Sequence, residues 1–346
     1  SLADERGEQP AMSNRPLVVV TDHLAEIGVE RDILDTAAEV RLLQTDDERD
    51  VARAAVEADA LLVFHTIKLG ADTIAALGRC RGIVRAGVGY DNIDLQAAGQ
   101  RGIVVCNVPD YGTEEVADHA LMLLLALARR LVPADRAIRG GNWNLSTVFG
   151  TPRLRGRTLA LLGCGRIGTA MALRGKALGL RVVFYDPFKP DGLDKALGIE
   201  RVYRLDELWP RADFLSLHCP LTRETHRIVN AATLARLPAG AYVINTARGP
   251  CVDVAALCDA LDSGHIAFAG LDVVEREPLD DERLRQHPHV LLTPHTAFYS
   301  VEGFREMRSK GAEEARRLVL GEPVRNPVNL YCLKNPRAVL PASLPM

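Results

Sequence analysis

The stretch that decides the fold is RTLALLGCGRIG, which occupies residues 157–168. An apolar run leads directly into Gly163, Gly165 and Gly168, and a helix-compatible segment follows. In a strand, turn and helix of this kind, the first glycine permits a tight turn and the second lets the main chain approach a pyrophosphate. The third allows the helix to pack closely on the strand, while the helix N-terminus supplies N–H donors. The stretch therefore predicts a dinucleotide-binding βαβ unit.

The next apolar run predicts which dinucleotide is bound. Residues 181–185 are followed by Asp186, whose carboxylate can hold both hydroxyls of a ribose and repel a 2′-phosphate. Glycine-rich turns also occur for packing alone, so this acid gives the motif its specificity. We predict NAD as the cofactor, in preference to NADP.

Outward from this unit, short apolar runs alternate with helical segments along the chain. The runs are residues 17–20, 60–64, 82–85 and 103–105, then 157–162, 181–185, 214–217, 242–245, 267–271 and 290–292. Such alternation is typical of βαβ units with parallel sheets. We expect an α/β protein with two parallel sheets, the second of which has six strands.

Two long helices are predicted beside these sheets. Residues 114–130 are apolar on most sides, which indicates a buried helix. Residues 302–320 are amphipathic, and their solvent side is predicted to carry Glu313, Glu314, Arg316 and Arg317. The predicted division of the chain is a substrate domain at 15–113 plus 299–330, a cofactor domain at 114–298, and tails at 1–14 and 331–346.

Composition and charge disfavour several classes of partner. The 346 residues carry a formal net charge of -3 without a basic cluster, so nucleic acid is not expected as a partner. No apolar run is long enough to span a membrane, and no secretion signal is recognisable. The seven cysteines form no C-x-x-C pair, which favours a reducing, cytoplasmic location and predicts no metal site.

Polar residues follow three successive strands of the predicted second sheet. Arg248 follows the run 242–245, an acidic segment ending at Pro278 follows 267–271, and His295 follows the last run. Because ligands bind at the carboxyl edge of open parallel sheets, we expect these side chains in one crevice. Guanidinium, carboxylate and imidazole supply what reduction of a 2-keto acid needs.

Each of these side chains has a predicted role. Arg248 would bind the substrate carboxylate and carbonyl oxygen in a forked geometry that lysine cannot copy. His295 would act as general acid or base, since an imidazole titrates near neutral pH. A glutamate would accept a hydrogen bond from the other ring nitrogen, and spacing alone leaves Glu275 and Glu277 as alternatives.

Other polar residues allow two interpretations each. His218 ends the run 214–217, where lining of an adenosine pocket competes with plain packing, and Arg166 is either solvated or close to the pyrophosphate. For His287 and His289, a surface loop is favoured over a metal site. The full set predicted to bind NAD is Gly163, Gly165, Arg166, Ile167, Gly168, Asp186, His218, Cys219, Pro220, Thr225, Thr246, Ala247, Asp272 and His295.

Several motifs together resemble one family. They are GVGYDNID at 87–94, CNVP at 106–109, GCGRIG at 163–168, NTARG at 245–249, EREP at 275–278 and TPH at 293–295. Through them, residues 17–329 are similar to the D-isomer-specific 2-hydroxyacid dehydrogenases. The resemblance implies a flavodoxin-like substrate domain, a Rossmann NAD-binding domain, an active site between them, and a homodimer formed through the cofactor domain. It also selects Glu277, because the family's acid directly precedes a proline.

Within the family, the sequence is closest to the C-terminal-binding protein branch, through FHTI at 64–67, VVCNVP at 104–109, YDPF at 185–188 and PHTAFYS at 294–300. The match implies that amides near Val88 and Gly89 bind the substrate carboxylate. It places His65 and Arg85 along the substrate cleft, with a structural role as the alternative. Phe298 stands where the branch has a tryptophan, and Val88 stands where the branch has a serine. The resemblance therefore does not predict which side chain the substrate carries.

Three functions are consistent with these patterns. The first is an NAD-dependent dehydrogenase acting on a small 2-keto or D-2-hydroxy acid, and the complete set of Arg248, Glu277 and His295 favours it. The second is an NAD-sensing binding protein similar to the corepressors of that branch, with vestigial catalysis. The third is a short phosphoglycerate dehydrogenase, which is disfavoured because no regulatory domain follows residue 330.

Overall fold

The computed structural model describes residues 15–342 and divides the chain into two compact units. Unit 1 comprises the residues up to Tyr111 and those from Phe304 onward, and unit 2 is Gly112–Gly303. The predicted tail at 1–14 lies outside the described residues.

Unit 1 is built on a five-stranded parallel sheet. Its strands are β1 (Leu17–Val20), β2 (Glu39–Leu42), β3 (Ala60–Val63), β4 (Gly82–Arg85) and β5 (Val104–Asn107), in the order β2-β1-β3-β4-β5. Its helices in the first part of the chain are α1 (Gly28–Leu34), α2 (Glu48–Ala54), α3 (Ala71–Ala76) and α4 (Leu95–Gln100). Strand β2 was not predicted, because this edge strand alternates exposed and half-buried positions and contains no apolar run.

Unit 2 is built on a seven-stranded parallel sheet in the order β12-β11-β10-β9-β6-β7-β8. Its strands are β6 (Thr158–Leu162), β7 (Arg181–Tyr185), β8 (Glu200–Arg201), β9 (Phe214–Leu217), β10 (Ala241–Asn245), β11 (Ile266–Leu271) and β12 (Val290–Leu292). Its helices are α5 (Thr113–Ala128), α6 (Leu131–Arg139), α7 (Arg166–Ala177), α8 (Leu193–Leu197), α9 (Ala231–Leu234), α10 (Val254–Asp262) and α11 (Glu282–Gln286). The predicted count of six strands is wrong by one, because the two-residue β8 is too short to form a pattern.

The expectation of two parallel-sheet α/β domains is confirmed. In unit 2, β6 has β7 on one side and β9 on the other, so the strand order reverses at β6. Ligands of open α/β sheets bind beside such a reversal, at the carboxyl ends of the strands. The fold therefore directs attention to the segments that follow β6, β7 and β9.

Helix α5 belongs to the core of unit 2. Its buried face includes Ala120, Leu123 and Leu124, packed with residues of α7 and of strands β6, β7 and β10. The helix ends before Arg130, which adopts the left-handed conformation with φ of 52°. The following helix, α6, has no buried residue.

The last long helix, α12 (Val301–Leu320), differs from the prediction in two respects. Its first turn belongs to unit 2, where Ser300 Oγ, just before it, donates to Glu115 Oε1 at 2.7 Å, so the predicted boundary at 298 falls too early. Glu314 is buried instead of solvated, because its Oε1 accepts from the amides of Arg325 (2.6 Å) and Asn326 (3.3 Å). Periodicity could not foresee these partners, which come from a later segment.

The predicted tail at 331–346 is partly incorrect. The Arg337 guanidinium donates to the carbonyl oxygens of Gly78 (2.9 Å) and Cys80 (3.0 Å), and the Val324 amide donates to the Val339 oxygen at 3.1 Å. Residues up to 342 therefore pack on unit 1, and 343–346 lie outside the described residues. Within residues 15–342, none of the helices combines the length and apolar character needed to cross a bilayer.

Candidate active site

The turn after β6 has the geometry of a phosphate-binding loop. Gly163 adopts a φ of 95°, and a Cβ there would lie 2.8 Å from the His218 carbonyl oxygen. A Cβ at Gly168 would collide with the Gly163 oxygen, whereas one at Gly165 would meet no atom within 4 Å. Two glycines thus serve packing, and Gly165 keeps the main chain open to a ligand.

Helix α7 begins immediately after this turn. Within the described residues, no side chain caps its N-terminus, and the first helical hydrogen bond runs from the Thr169 amide to the Gly165 oxygen at 2.9 Å. The amides of Arg166, Ile167 and Gly168 precede that bond, so they are the donors that an anion would meet. The Arg166 side chain is exposed and lines an open pocket of about 680 Å³ together with Gly165 and Lys189.

Asp186, at the end of β7, is buried and ties the turn to the next loop. Its Oδ2 accepts from the Cys164 amide at 2.9 Å, and its Oδ1 accepts from the Phe188 amide at 3.0 Å. Each carboxylate oxygen can accept a second hydrogen bond, so two ribose hydroxyls fit the remaining positions. The sequence predicted the acid but not its two main-chain partners.

The segment after β9 contributes a histidine with an unusual environment. His218 Nε2 lies 2.9 Å from Ser216 Oγ, and its Nδ1 is buried with no partner among residues 15–342. Burial lowers the pKa of His218 to about 4, so the ring is uncharged at neutral pH. A neutral ring fits the wall of an adenosine pocket better than a cation would.

The rest of that segment forms a compact turn. Cys219 is buried, and the Thr225 hydroxyl donates to the Pro220 oxygen at 2.6 Å. After β10, Thr246 is buried and its hydroxyl has no partner within the described part of the chain, while the adjacent Ala247 amide donates to Asn245 Oδ1 at 3.0 Å. Buried polar atoms normally find partners, so His218 Nδ1 and Thr246 Oγ1 mark positions suited to a polar ligand. Together with the open turn at Gly165, they fit a dinucleotide.

Arg248 follows β10 and is held by the segment around it. Asn245 Nδ2 donates to the Arg248 oxygen at 2.9 Å, and Arg248 Nη1 donates to the Ala247 oxygen at 2.8 Å. Gly249 comes next, where a Cβ would collide with the Val274 carbonyl oxygen. Glycine at this position lets the Arg248 loop pack directly on the loop that carries Glu277.

Glu277 and His295 form the contact that the sequence predicted. His295 Nδ1 and Glu277 Oε2 are 2.7 Å apart, and Glu277 Oε1 accepts from the Val274 amide at 3.3 Å. Glu275, the other candidate, instead pairs with Arg227 at 2.7 Å. The structure therefore places Glu277, and not Glu275, beside the imidazole.

The charge state of Glu277 follows from these neighbours. Burial acts to raise its pKa, but the hydrogen bond and charge of His295 outweigh burial, with help from the Val274 amide and the charge of Arg248. The pKa of Glu277 is thus lowered from the ordinary 4.5. The Glu277 carboxylate is therefore charged at every pH above this lowered pKa, and it loses its charge when the pH falls through that pKa.

A buried aspartate organises the loop of His295, and sequence analysis did not foresee this role. Asp272 Oδ1 accepts from the Thr293 hydroxyl (2.6 Å) and the Thr296 amide (2.9 Å), and Oδ2 accepts from the Ala297 amide (3.0 Å). The His295 amide donates to the Asp272 carbonyl oxygen at 2.8 Å. These bonds hold His295 at a φ of 54°, a left-handed conformation that is costly for a non-glycine residue.

His119 extends this network from helix α5. Its Nε2 lies 2.8 Å from Thr293 Oγ1, which donates its proton to Asp272, so Nε2 carries the proton that is shared with the hydroxyl. Sequence analysis did not single out His119, and the signal that could have identified it is a polar residue within a mostly apolar helix. The Phe298 ring is also close to the imidazole, with its centroid 6.4 Å from that of the His295 ring.

The other residues predicted to contact substrate lie in unit 1, and those contacts stay predictions. His65 and Val88 are exposed, and Gly89 is half-buried. Arg85 is buried, its Nη1 donates to the Ala86 oxygen at 2.9 Å, and its guanidinium fills the space that a Cβ of Gly87 would need. Asn107 Nδ2 donates to the Val88 oxygen at 2.7 Å and so fixes this glycine turn.

The histidines near the amino end of β12 lie in a loop. His287 Nε2 is 3.2 Å from Asp262 Oδ1, and the His289 amide faces His287 Nδ1 at 3.2 Å. Within residues 15–342, no group of three His, Cys, Asp or Glu side chains is arranged to hold a metal ion.

The sheet order and the glycine turn define a nucleotide-binding α/β protein, and comparison with known proteins specifies its class. A family model described as D-isomer specific 2-hydroxyacid dehydrogenase, NAD binding domain, matches residues 121–297. The chain belongs to this family, and NAD is its cofactor.

Individual relatives agree with this assignment. D-3-phosphoglycerate dehydrogenase of Mycobacterium leprae (strain TN) is 39% identical over 91% of this chain and 59% of its own length. C-terminal-binding protein 1 of Caenorhabditis elegans is 36% identical over 100% of this chain and 48% of its own length. The chain thus spans only part of both relatives. D-lactate dehydrogenase from Aquifex aeolicus, solved with NAD and lactic acid, has a TM-score of 0.82 at 30% identity, covering 88% of this chain and 96% of that one.

Proposed function

We propose that this chain is a dehydrogenase that interconverts a small 2-keto acid and the corresponding D-2-hydroxy acid. The observation that carries the proposal is the 2.7 Å contact between His295 Nδ1 and Glu277 Oε2 at the carboxyl edge of the NAD-binding sheet. Because Nδ1 is directed to the carboxylate, we assign proton exchange with the substrate to Nε2.

The three side chains divide the work of keto acid reduction. Bound NADH supplies the hydride that forms the new C–H bond at C2. His295 Nε2 gives its proton to the carbonyl oxygen, which becomes the hydroxyl, and Glu277 stabilises the imidazolium beforehand. Arg248 binds the substrate carboxylate and withdraws charge from the carbonyl oxygen during transfer. In oxidation, His295 takes the proton back.

The proposal does not specify which side chain the 2-keto acid carries. Phe298, whose ring lies beside that of His295, is the residue of unit 2 that we expect to border it. The relatives include a D-lactate dehydrogenase and a D-3-phosphoglycerate dehydrogenase, so both uncharged and phosphorylated acids are candidates. The NAD-binding residues are those predicted above, with Asp186 selecting NADH over NADPH.

The test is NADH oxidation with glyoxylate, pyruvate, hydroxypyruvate, phosphohydroxypyruvate and bulkier 2-keto acids. We expect activity with at least one acid, and a loss of at least about 100-fold in His295→Ala, which should still bind NADH because the glycine turn and Asp186 are intact. His265→Ala is the matched control, because His265 precedes the amino end of β11, opposite the carboxyl edge, and its Nε2 contacts the Leu234 oxygen at 3.0 Å. Full activity of His295→Ala would refute the assigned proton donor.

The similarity to C-terminal-binding protein 1 along the whole chain favours a second candidate, an NAD-sensing binding protein. In that case NADH would bind tightly while the whole panel of acids stayed inactive. The panel and a binding titration therefore distinguish the two functions in one set of measurements.

We also propose a homodimer formed through unit 2. Helix α6 has no buried residue, and the segment after it exposes Trp143 (89%), Leu145 (71%) and Phe149 (64%). Several exposed large apolar side chains in one segment are typical of a subunit interface, and a second copy is the partner that the family resemblance implies. Light scattering should give twice the chain mass, whereas a monomer would refute the dimer. Within the described residues the seven cysteines form no disulfide, which suits a reducing compartment that we take to be the cytoplasm.

A further inference from the structure

One buried arginine outside the predicted site binds the loop that follows Asp186 through both of its terminal guanidinium nitrogens. Arg201 lies on strand β8, next to β7, and only 7% of its side chain is exposed. Its Nη2 donates to the carbonyl oxygens of Asp186 (3.0 Å) and Lys189 (2.9 Å). Its Nη1 donates to the Pro190 oxygen and to Asp191 Oδ1, both at 3.3 Å. One guanidinium therefore contacts four of the six residues from 186 to 191.

Aromatic rings fix the orientation of this guanidinium. The Arg201 Cζ lies 4.9 Å from the ring centroid of Tyr203 and 5.8 Å from that of Phe184. Both distances fall within the range of cation–π attraction, and burial of the group strengthens it. A lysine could neither stack in this way nor form the same fork of hydrogen bonds.

The loop has little other support. Besides Arg201, the loop contains a turn at residues 187–188 and a hydrogen bond from the Phe188 amide to Asp186 Oδ1 at 3.0 Å. Lys189 and Pro190, whose oxygens Arg201 holds, line the same pocket as the glycine turn. The position of this wall of the cofactor region thus depends on Arg201.

We infer that Arg201 is the positioning residue that sets the preference for NADH over NADPH, an inference that rests on the proposed role of Asp186. A fixed carboxylate can bind ribose hydroxyls and repel a 2′-phosphate, since both effects require a defined position. When the loop is released, the Asp186 carboxylate no longer holds the ribose hydroxyls, so the affinity for NADH falls. The carboxylate also no longer repels the 2′-phosphate of NADPH. Lys189, freed with the loop, adds a cation that can approach a phosphate.

The test is a fluorescence titration of the full chain with NADH and with NADPH, which requires no substrate. We compare the wild type with Arg201→Met, Arg201→Lys and Arg204→Met. In Arg201→Met we expect the dissociation constant for NADH to rise about 10-fold and the ratio of the NADPH to the NADH constant to fall about 10-fold. Both quantities should be intermediate in Arg201→Lys. Arg204→Met should match the wild type, because Arg204 is exposed and, within the described residues, forms its ion pairs with Asp206 and Glu207.

The outcomes separate this inference from the proposed function. If Arg201 had only a structural role, its replacement would lower the melting temperature and weaken the binding of NADH and NADPH to the same extent. An unchanged ratio of the two dissociation constants in both Arg201 variants would therefore overturn this inference and leave the proposed function intact. A wild type without preference for NADH would overturn it together with the role of Asp186. If Arg201→Met does not fold, the ratio in Arg201→Lys decides between the same two results.

Discussion

The two halves of the sheet in unit 2 present different chemistry at the same carboxyl edge. The cofactor half, residues 157–201, offers main-chain amides around Gly165 and a carboxylate held by two amides. The catalytic half, residues 241–298, offers the side chains of Arg248, Glu277 and His295, held by side-chain contacts and by Asp272. The difference predicts that substitutions of Gly165 or Asp186 change cofactor affinity, whereas substitutions of Arg248 or Glu277 change the rate.

The largest effect that would test this division is expected at Arg248. Arg248→Lys keeps the charge but loses the forked donors, so kcat/KM for the keto acid should fall on the order of 10³-fold while NADH affinity stays unchanged. Steady-state kinetics and an NADH titration measure the two quantities. Arg276→Lys is the control, since Arg276 is 80% exposed and pairs with Asp280. A loss of NADH affinity in Arg248→Lys would contradict the division.

A pair of alanine variants tests the cofactor half. In Gly165→Ala, the added Cβ meets no protein atom within 4 Å, so the melting temperature should stay unchanged. The methyl group should nevertheless weaken the binding of NADH about 30-fold, or by about 2 kcal/mol. Gly163→Ala places a Cβ near the His218 oxygen at a φ of 95°, so it should lower the melting temperature. Thermal shift and NADH titration of both variants give the result. Equal behaviour of the two would show that the glycines are not divided between packing and binding.

The smallest effect is a shift in the pH profile. In the proposed mechanism, keto acid reduction requires a protonated His295, and the Glu277 carboxylate, which is charged at every pH above its lowered pKa, stabilises that form. In Glu277→Gln, the pH above which reduction declines should therefore move down by about 1 unit. Glu275→Gln should leave the profile unchanged, because Glu275 pairs with Arg227. An unshifted profile in Glu277→Gln would remove Glu277 from the proton transfer.

The comparison also explains what the sequence could and could not predict. Glycine spacing and the acid after β7 are local signals, and the ends of apolar runs locate Arg248 after β10 and His295 after β12, the strands on either side of β11. Side chains that act across the fold leave no such signal: Arg201 is the partner of a loop more than ten residues earlier, and His119 reaches Thr293 from another helix. The edge strands β2 and β8 could not be predicted for a related reason, because half-exposed or very short strands lack an apolar pattern.

The left-handed backbone at His295 has a consequence beyond catalysis. The proposed proton transfer requires an imidazole at this position, while the φ of 54° is one that glycine adopts without steric cost. Under the proposed function, a descendant that no longer turned over substrate would relieve conformational strain by replacing this histidine with glycine. The loss of the histidine in a homologue would then indicate a chain that no longer catalyses the reaction.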